Sequence, residues 1–141
     1  MPTGLTADAG WQIGVSRTLP LPPEIVWAHL TGAAGLACWL GPGADPDFVP
    51  GARYRTDTGV TGEVRSYRPG ERIRLTYGPT TVQVTLTPAP GNRTRLRFHQ
   101  ERMSGAAQRD RQRTHWQQVM DAVAAALNAD RPGSAGDLDP R

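Results

Sequence analysis

Hydrophobic and polar positions alternate through residues 11–19, WQIGVSRTL, with Trp11, Ile13, Val15, Arg17 and Leu19 falling on one side. Period two predicts a half-buried strand. Pro20, Pro22 and Pro23 end it. Proline suits a first helical turn because its missing N–H would have had no partner there. Ile25, Val26, Trp27 and Leu30 then supply a short apolar helix face, which Gly32 stops. A second short helix is expected over about 33–39, ending in the Gly41-Pro42 pair. Residues 43–51 read as a loop, or as a short edge strand around Asp47, Phe48 and Val49.

From residue 52 the alternation returns as a meander. Candidate strands cover 52–58, 60–68, 71–77, 80–87 and 93–101, punctuated by Gly59, Pro69-Gly70, Gly78-Pro79 and the run 88–92. Connections this short join antiparallel neighbours. One face of the meander collects Tyr54, Val64, Ile73, Leu75, Tyr77, Val82, Val84, Leu86, Leu96 and Phe98. The other collects Arg53, Arg55, Glu63, Arg65, Arg72, Arg74, Gln83, Thr85, Arg93, Arg95 and Arg97. The sheet is therefore expected to be apolar on one side and wet on the other.

The last element is a helix over about 104–128, with Ser104 as its N-cap. Trp116, Val119, Met120, Val123 and Leu127 form one apolar stripe along it. A helix of ~24 residues is about 36 Å long and can cross a whole sheet. The pattern predicts an α+β fold: a curved antiparallel sheet of six or seven strands, two short helices after the first strand, and a long C-terminal helix over a cavity. Residues 11–128 are expected to form a single domain. Residues 1–10 read as a loose lead-in, and 129–141, rich in Gly, Pro and Asp, as a disordered tail.

Composition narrows the function classes. A length of 141 residues suits one domain. No window approaches the ~18 apolar residues of a membrane span, and the N-terminus lacks the basic start and apolar core of a signal peptide. Membrane insertion is not expected, and the expected location is cytoplasmic. Cys38 is the single cysteine. It excludes an internal disulfide and a cysteine-based metal cluster, and reads as a small buried filler. All 16 basic residues are arginine and the 13 acidic ones are interspersed among them. Nucleic-acid binding is accordingly not expected, and the arginine face reads as solvated rather than as a docking surface for an acidic partner.

Running the helix stripe backward by turns brings Gln112, Arg109 and Arg113 near the face of Trp116. The C-terminal half of the helix is apolar and can seal a core; the N-terminal half mixes an indole with amide and guanidinium groups. That gradient suits a cavity mouth, where a few polar groups orient one end of an apolar ligand. Either arginine could also snorkel to solvent beside a closed core. Catalytic and cofactor signatures are absent. His29, His99 and His115 have no metal-ligand spacing, and no phosphate loop, dinucleotide fingerprint or nucleophile elbow occurs. His99 and Glu101 share a strand face and could form an acid–base set with His115, although a satisfied polar rim accounts for them more simply. No catalytic residue, metal or cofactor is assigned.

The blocks VSRTLPLPPEIVWAHLT, ACWLGP, TGEVRSYRPGERIRLTY, TRLRFHQE and THWQQVMDAVAAAL resemble the bacterial proteins named for homology to the activator of Hsp90 ATPase, in the SRPBCC (START/Bet v 1-like) superfamily. The similarity spans roughly 11–128. It implies a helix-grip fold and a groove for apolar or amphipathic small molecules; some relatives are polyketide cyclases or aromatases. Trp39 matches the family's tryptophan in the W-L-G-P turn. Trp116 matches a tryptophan that usually follows a glycine, here replaced by His115.

The leading expectation is a binding protein for one small hydrophobic or amphipathic molecule. Its cavity would be lined by Trp39, Tyr54, Tyr77, Phe98, Trp116 and Met120, with Arg109, Gln112 and Arg113 at the rim. Two alternatives use the same chain: a cyclase- or aromatase-like enzyme acting by orientation and water exclusion, and a co-chaperone-type module binding an Hsp90-like partner through the arginine face. Edge strands and the Phe48 loop leave room for a homodimer.

Overall fold

The computed structural model describes residues 5–6 and 10–130. The rest of the lead-in (1–4 and 7–9) and residues 131–141 of the tail lie outside the described residues. The elements run β1 (Leu5–Thr6), β2 (Gly10–Leu19), α1 (Pro23–Thr31), α2 (Ala33–Trp39), β3 (Arg53–Arg55), β4 (Thr61–Arg68), β5 (Arg72–Tyr77), β6 (Thr80–Ala89), β7 (Arg93–Met103) and α3 (Ala106–Asp130). The strands form one antiparallel sheet in the order β1-β2-β7-β6-β5-β4-β3. Sequential neighbours follow from the short turns. The pairing of β2 with β7 returns the meander to its start, with Val15 opposite Phe98.

Period two decides which side chains go inward. Tyr54, Val64, Ile73, Leu75, Val82, Val84, Leu86, Leu96 and Phe98 are all buried, and Tyr77 is half-buried. Helices cover that face: α3 lies mainly against β2 and also meets β7 and α2, while α1 packs on β6 and β7. The arrangement is the helix-grip fold, with helices on one side of a curved sheet.

Two β-bulges accompany the curvature. Val64 opposes Leu75 and Ser66 opposes Arg74, so Arg65 is an extra residue on β4. Trp11 opposes Met103 while Ile13 opposes Gln100, which leaves an extra residue on β7; there Arg102 takes a left-handed backbone with φ 66°. Such insertions bend a strand and re-aim its side chains.

The short helices are simpler. Pro22 precedes α1 with Pro23 in its first turn, as expected for a residue with no N–H to satisfy. Val26 and Leu30, four apart, are fully buried, whereas Ile25 is 47% exposed. Ile25 thus lies off the apolar face that the sequence pattern assigns it, because a step of about 100° per residue carries it off the Val26–Leu30 stripe. Residues 43–51 form no strand. Phe48 instead stacks on Tyr67, ring centroids 5.2 Å apart, and Tyr67 meets Trp27 at 5.8 Å. Gly35 lets α1 and α2 touch, since a Cβ there would stand 1.9 Å from the His29 carbonyl oxygen. Trp39 is buried and its indole N–H donates to the Leu30 carbonyl at 2.8 Å, so this tryptophan fastens α2 to α1.

Helix α3 begins at Ala106, two residues after the expected cap. Ser104 does not accept a bond from the helix. Its own N–H and hydroxyl both donate to Gln108 Oε1, at 2.8 and 3.0 Å. No helix among the described residues is long and apolar enough to cross a membrane.

Candidate functional site

The groove between sheet and α3 is packed solid over most of its length. Val119, Met120, Val123 and Leu127 are buried, and Met120 is fully enclosed. Phe98 stacks on Trp116 with ring centroids 4.9 Å apart and planes 20° apart. Offset aromatic contact of this kind adds to the burial of both rings.

At Trp116 the chemistry changes. Alternation along β7 turns Leu96, Phe98 and then Gln100 inward, and Gln100 is 2% exposed. A buried amide is tolerated only if its donors and acceptor are paired. Gln100 Oε1 accepts from the Trp116 indole N–H at 2.9 Å and from Gln112 Nε2 at 2.8 Å. Its Nε2 donates to Thr80 Oγ1 at 2.9 Å, and the Thr80 hydroxyl donates to the Tyr77 carbonyl at 2.7 Å. This chain of bonds closes the apolar core. It also helps wall a pocket of about 300 Å³, whose lining includes Val60, Thr61, Tyr77, Thr80, Gln108 and Gln112. Gln108 gives its carbonyl to Ser104, and its amide NH₂ has no protein partner among the described residues.

A wider, more open depression of about 580 Å³ adjoins this pocket, sharing Thr61 and Gly78 with it. Its lining includes Arg53, Tyr54, Arg55, Gly62, Glu63 and Thr76. Here the β4–β5 ladder gives way: the Glu63 N–H bonds Thr76 Oγ1 at 2.9 Å, and the Tyr54 hydroxyl donates to the freed Thr76 carbonyl. Gly62 makes room for that phenol, because a Cβ would lie 2.5 Å from its oxygen. Burial raises the Tyr54 pKa, and the neighbouring Tyr77 phenol adds to the shift, so Tyr54 is a hydrogen-bond donor rather than an acid in this site.

The residues singled out from the sequence are distributed as follows. Gln112 and Tyr77 line the smaller pocket, and Trp116 reaches it through Gln100. Phe98 and Met120 lie deeper, in packed core, and Trp39 is buried at the end of α2. Tyr54 belongs to the neighbouring depression. Arg109 turns toward β2, where its Nε donates to the Gln12 carbonyl at 2.8 Å. Arg113 is exposed and lines neither space. Sequence reasoning missed Gln100, Gln108, Thr80 and Val60. For Gln100 a signal existed: a polar residue at an inward strand position, two after Phe98.

The histidines do not gather. Phe98 faces the helix, so His99 faces the opposite side of the sheet, where its Nε2 bonds Gln12 Oε1 at 2.7 Å. Burial lowers the His99 pKa and the Arg97 guanidinium lowers it further. Glu101 pairs with Arg74. His115 lies on α3 with its ring edge-on to Trp116 at 5.0 Å, and partial burial lowers its pKa. The sheet separates it from His99 and Glu101, so the three form no common acid–base set. Among the described residues no three His, Cys, Asp or Glu side chains group as a metal site would require. The smaller pocket offers amides, hydroxyls, a phenol and aliphatic wall: groups that orient and desolvate a ligand, with no ionisable carboxylate, imidazole or thiol in its lining.

Known structures share this architecture. Protein CV1439 from Chromobacterium violaceum is 25% identical, with a TM-score of 0.65 over 82% of this chain and 96% of that one. DynU16, a protein of the dynemicin biosynthetic locus, is 22% identical with a TM-score of 0.70; the match covers 86% of this chain and 48% of that one. The Aha1 dimer from Colwellia psychrerythraea is 19% identical with a TM-score of 0.67, covering 82% and 95%. No functionally curated protein matches. Residues 20–128, from the proline run to the end of the α3 stripe, match the profile of the family described as Activator of Hsp90 ATPase homolog 1-like protein. With the helix-grip fold around that segment, the chain belongs to the Activator of Hsp90 ATPase homolog 1-like family of the SRPBCC superfamily.

Proposed function

We propose that the protein, acting as a single domain over 11–128, binds one small amphipathic molecule at the mouth of the groove rather than deep within it. The observation that carries this reading is the pocket of about 300 Å³ beside Gln100, with Val60, Pro79 and Tyr77 as apolar wall and Gln108, Gln112 and Thr80 as polar contacts. That volume is at the small end of ligand pockets, roughly 300–1,000 Å³. The packed Phe98–Trp116–Met120 interior leaves no room for a long chain to enter further. A ligand with a short apolar body and one amide- or hydroxyl-binding end fits this division. Membership of the family supports a small-molecule role, as does a structural neighbour encoded in a biosynthetic locus.

The test uses 8-anilinonaphthalene-1-sulfonate as an amphipathic probe, with native mass spectrometry of gently purified protein alongside. Val60→Trp fills the mouth from a loop position outside the packed core. Probe fluorescence and any co-purified adduct are expected to be lost in that variant while its melting temperature stays near wild type. Undiminished probe binding in a folded Val60→Trp protein overturns the assignment.

A further inference from the structure

The opposite face of the sheet carries a second feature. Between residues 53 and 103 there are ten arginines against four acidic residues, so the strands are strongly cationic while the remainder of the chain is net acidic. The two β-bulges concentrate this charge. Each adds an arginine, Arg65 on β4 and Arg102 on β7, and both line one groove of about 480 Å³ together with Arg74, Thr76 and Thr81. Without the bulge on β7, simple alternation after Gln100 would turn Arg102 inward; with it, Met103 is buried and Arg102 is exposed.

Along β4 and β5 the same face continues toward the other end of the sheet. Arg68 stands directly opposite Arg72, a like-charged cross-strand pair that costs stability unless something lies between them. Both line a second groove of about 350 Å³. Two buried side-chain atoms in the described structure lack any partner, Arg72 Nε and Ser66 Oγ. They sit on this same face, diagonally across the β4–β5 ladder. Buried donors left unpaired in a native fold call for an explanation, and an ion is one. Three carboxylates are near. Glu101 pairs with Arg74, Glu63 lies 3.3 Å from Arg65, and Glu71 lines the second groove. Arg68, Arg72 and Arg102 have no ion-pair partner among the described residues.

We propose that this arginine strip, from Arg68 and Arg72 through Arg74 to Arg65 and Arg102, is a binding site for a small oligoanion, a molecule with several phosphoryl or carboxylate groups in line. Guanidinium forks and hydroxyls suit both oxyanion types. The strip crosses from β4 to β7, on the order of 14 Å at the usual strand spacing, so a single-charge anion would engage only part of it. No aromatic ring lies among the residues of the two grooves, which removes the stacking platform that single-stranded nucleic acid uses.

The experiment is calorimetric titration of the full chain with inorganic tripolyphosphate and, separately, citrate, at low and high salt. Binding is expected for at least one probe at low salt, weakening steeply as salt rises; the stronger probe tells phosphoryl from carboxylate. Arg72→Gln is expected to weaken it about tenfold, the usual worth of a charge-assisted bond. Arg102→Gly removes a charge where the positive φ suits glycine, so the fold is kept while affinity falls about threefold. Arg111→Gln, at an exposed position of α3, makes the same change in net charge and is expected to leave affinity unchanged. Failure of both probes to bind overturns the proposal. So does binding indifferent to Arg72→Gln and Arg102→Gly, or equally weakened by Arg111→Gln.

Discussion

Along its C-terminal half α3 presses Val119, Met120, Val123 and Leu127 onto the sheet; along its N-terminal half Arg109 bonds β2 and Gln112 bonds β7. The first contact is sealed by apolar side chains, and the second is held by hydrogen bonds beside an open pocket. One helix thus serves as a lid in one half and a rim in the other. Trp116 and Gln100 mark the boundary, the indole stacking on Phe98 on one side and donating to the amide on the other. The contrast teaches where a ligand can go. Apolar closure and polar opening are allotted to different turns of one helix, so the proposed binding at the mouth need not disturb the core that holds the fold.

The sharpest way to break this contrast is to empty the sealed half. Phe98→Ala removes a fully buried ring and its stack on Trp116, and is expected to destabilise by about 3–5 kcal/mol in urea unfolding. A loss below about 1 kcal/mol would mean that the interior is loosely filled. In that case a deep cavity, not a shallow mouth, would be the better reading.

Next in size is the boundary. Gln100→Met keeps the approximate volume but deletes the carbonyl that accepts from both Trp116 and Gln112. The buried indole N–H is then left without an acceptor, a cost of about 2 kcal/mol. The rim is affected too, because Gln112 loses its anchor. Probe binding should therefore fall together with stability, whereas Phe98→Ala should act mainly on stability. If Gln100→Met is silent in both measurements, the amide network does not couple the halves.

How much of this was legible beforehand follows the same division. The apolar stripe from Trp116 to Leu127, the strand faces and the two short helices are written in periodicity, and the structure reproduces them because burial of one face is what those patterns encode. Arg109 and Arg113 show the limit. Helical spacing puts both near the Trp116 side, yet a guanidinium on a long stem goes to whichever acceptor the tertiary fold supplies, here the Gln12 carbonyl for Arg109 and solvent for Arg113. The bulges were equally unreadable. A one-residue insertion in a ladder depends on the partner strand's register, which alternation within a single strand does not contain. Gln100 is legible in the sequence, its position in the 96–98–100 series being the clue.

A smaller effect comes from His99, which lies on the far side of the sheet from α3. Burial and nearby Arg97 hold its pKa below the ordinary histidine value. The unfolded chain therefore takes up the proton first as the solution is acidified. The stability tied to neutral His99 is complete above about pH 6.5 and is lost as pH falls through that value toward the lowered folded one. His99→Gln is expected to flatten this part of a stability-against-pH curve. His115, lowered in the same direction, leaves a residual slope. An unchanged curve would show that His99 is as well solvated folded as unfolded.

The smallest expected effect compares two side-chain bonds from α3 to β2, one in each half of the helix. Arg17 pairs with Asp121 in the C-terminal half, and their side chains are 42% and 70% exposed. Arg109 bonds the Gln12 carbonyl in the N-terminal half, and its side chain is 16% exposed. An exposed ion pair trades water for a partner at little net gain, so Asp121→Asn is expected to cost less than about 0.5 kcal/mol, less still in salt. Arg109→Ala removes a more sheltered charged donor from a backbone acceptor and is expected to cost about 1 kcal/mol. If Asp121→Asn proves the costlier of the two, the C-terminal half depends on its surface charge. The division of α3 into an apolar lid and a hydrogen-bonded rim then has to be redrawn, because the lid would not be held by packing alone.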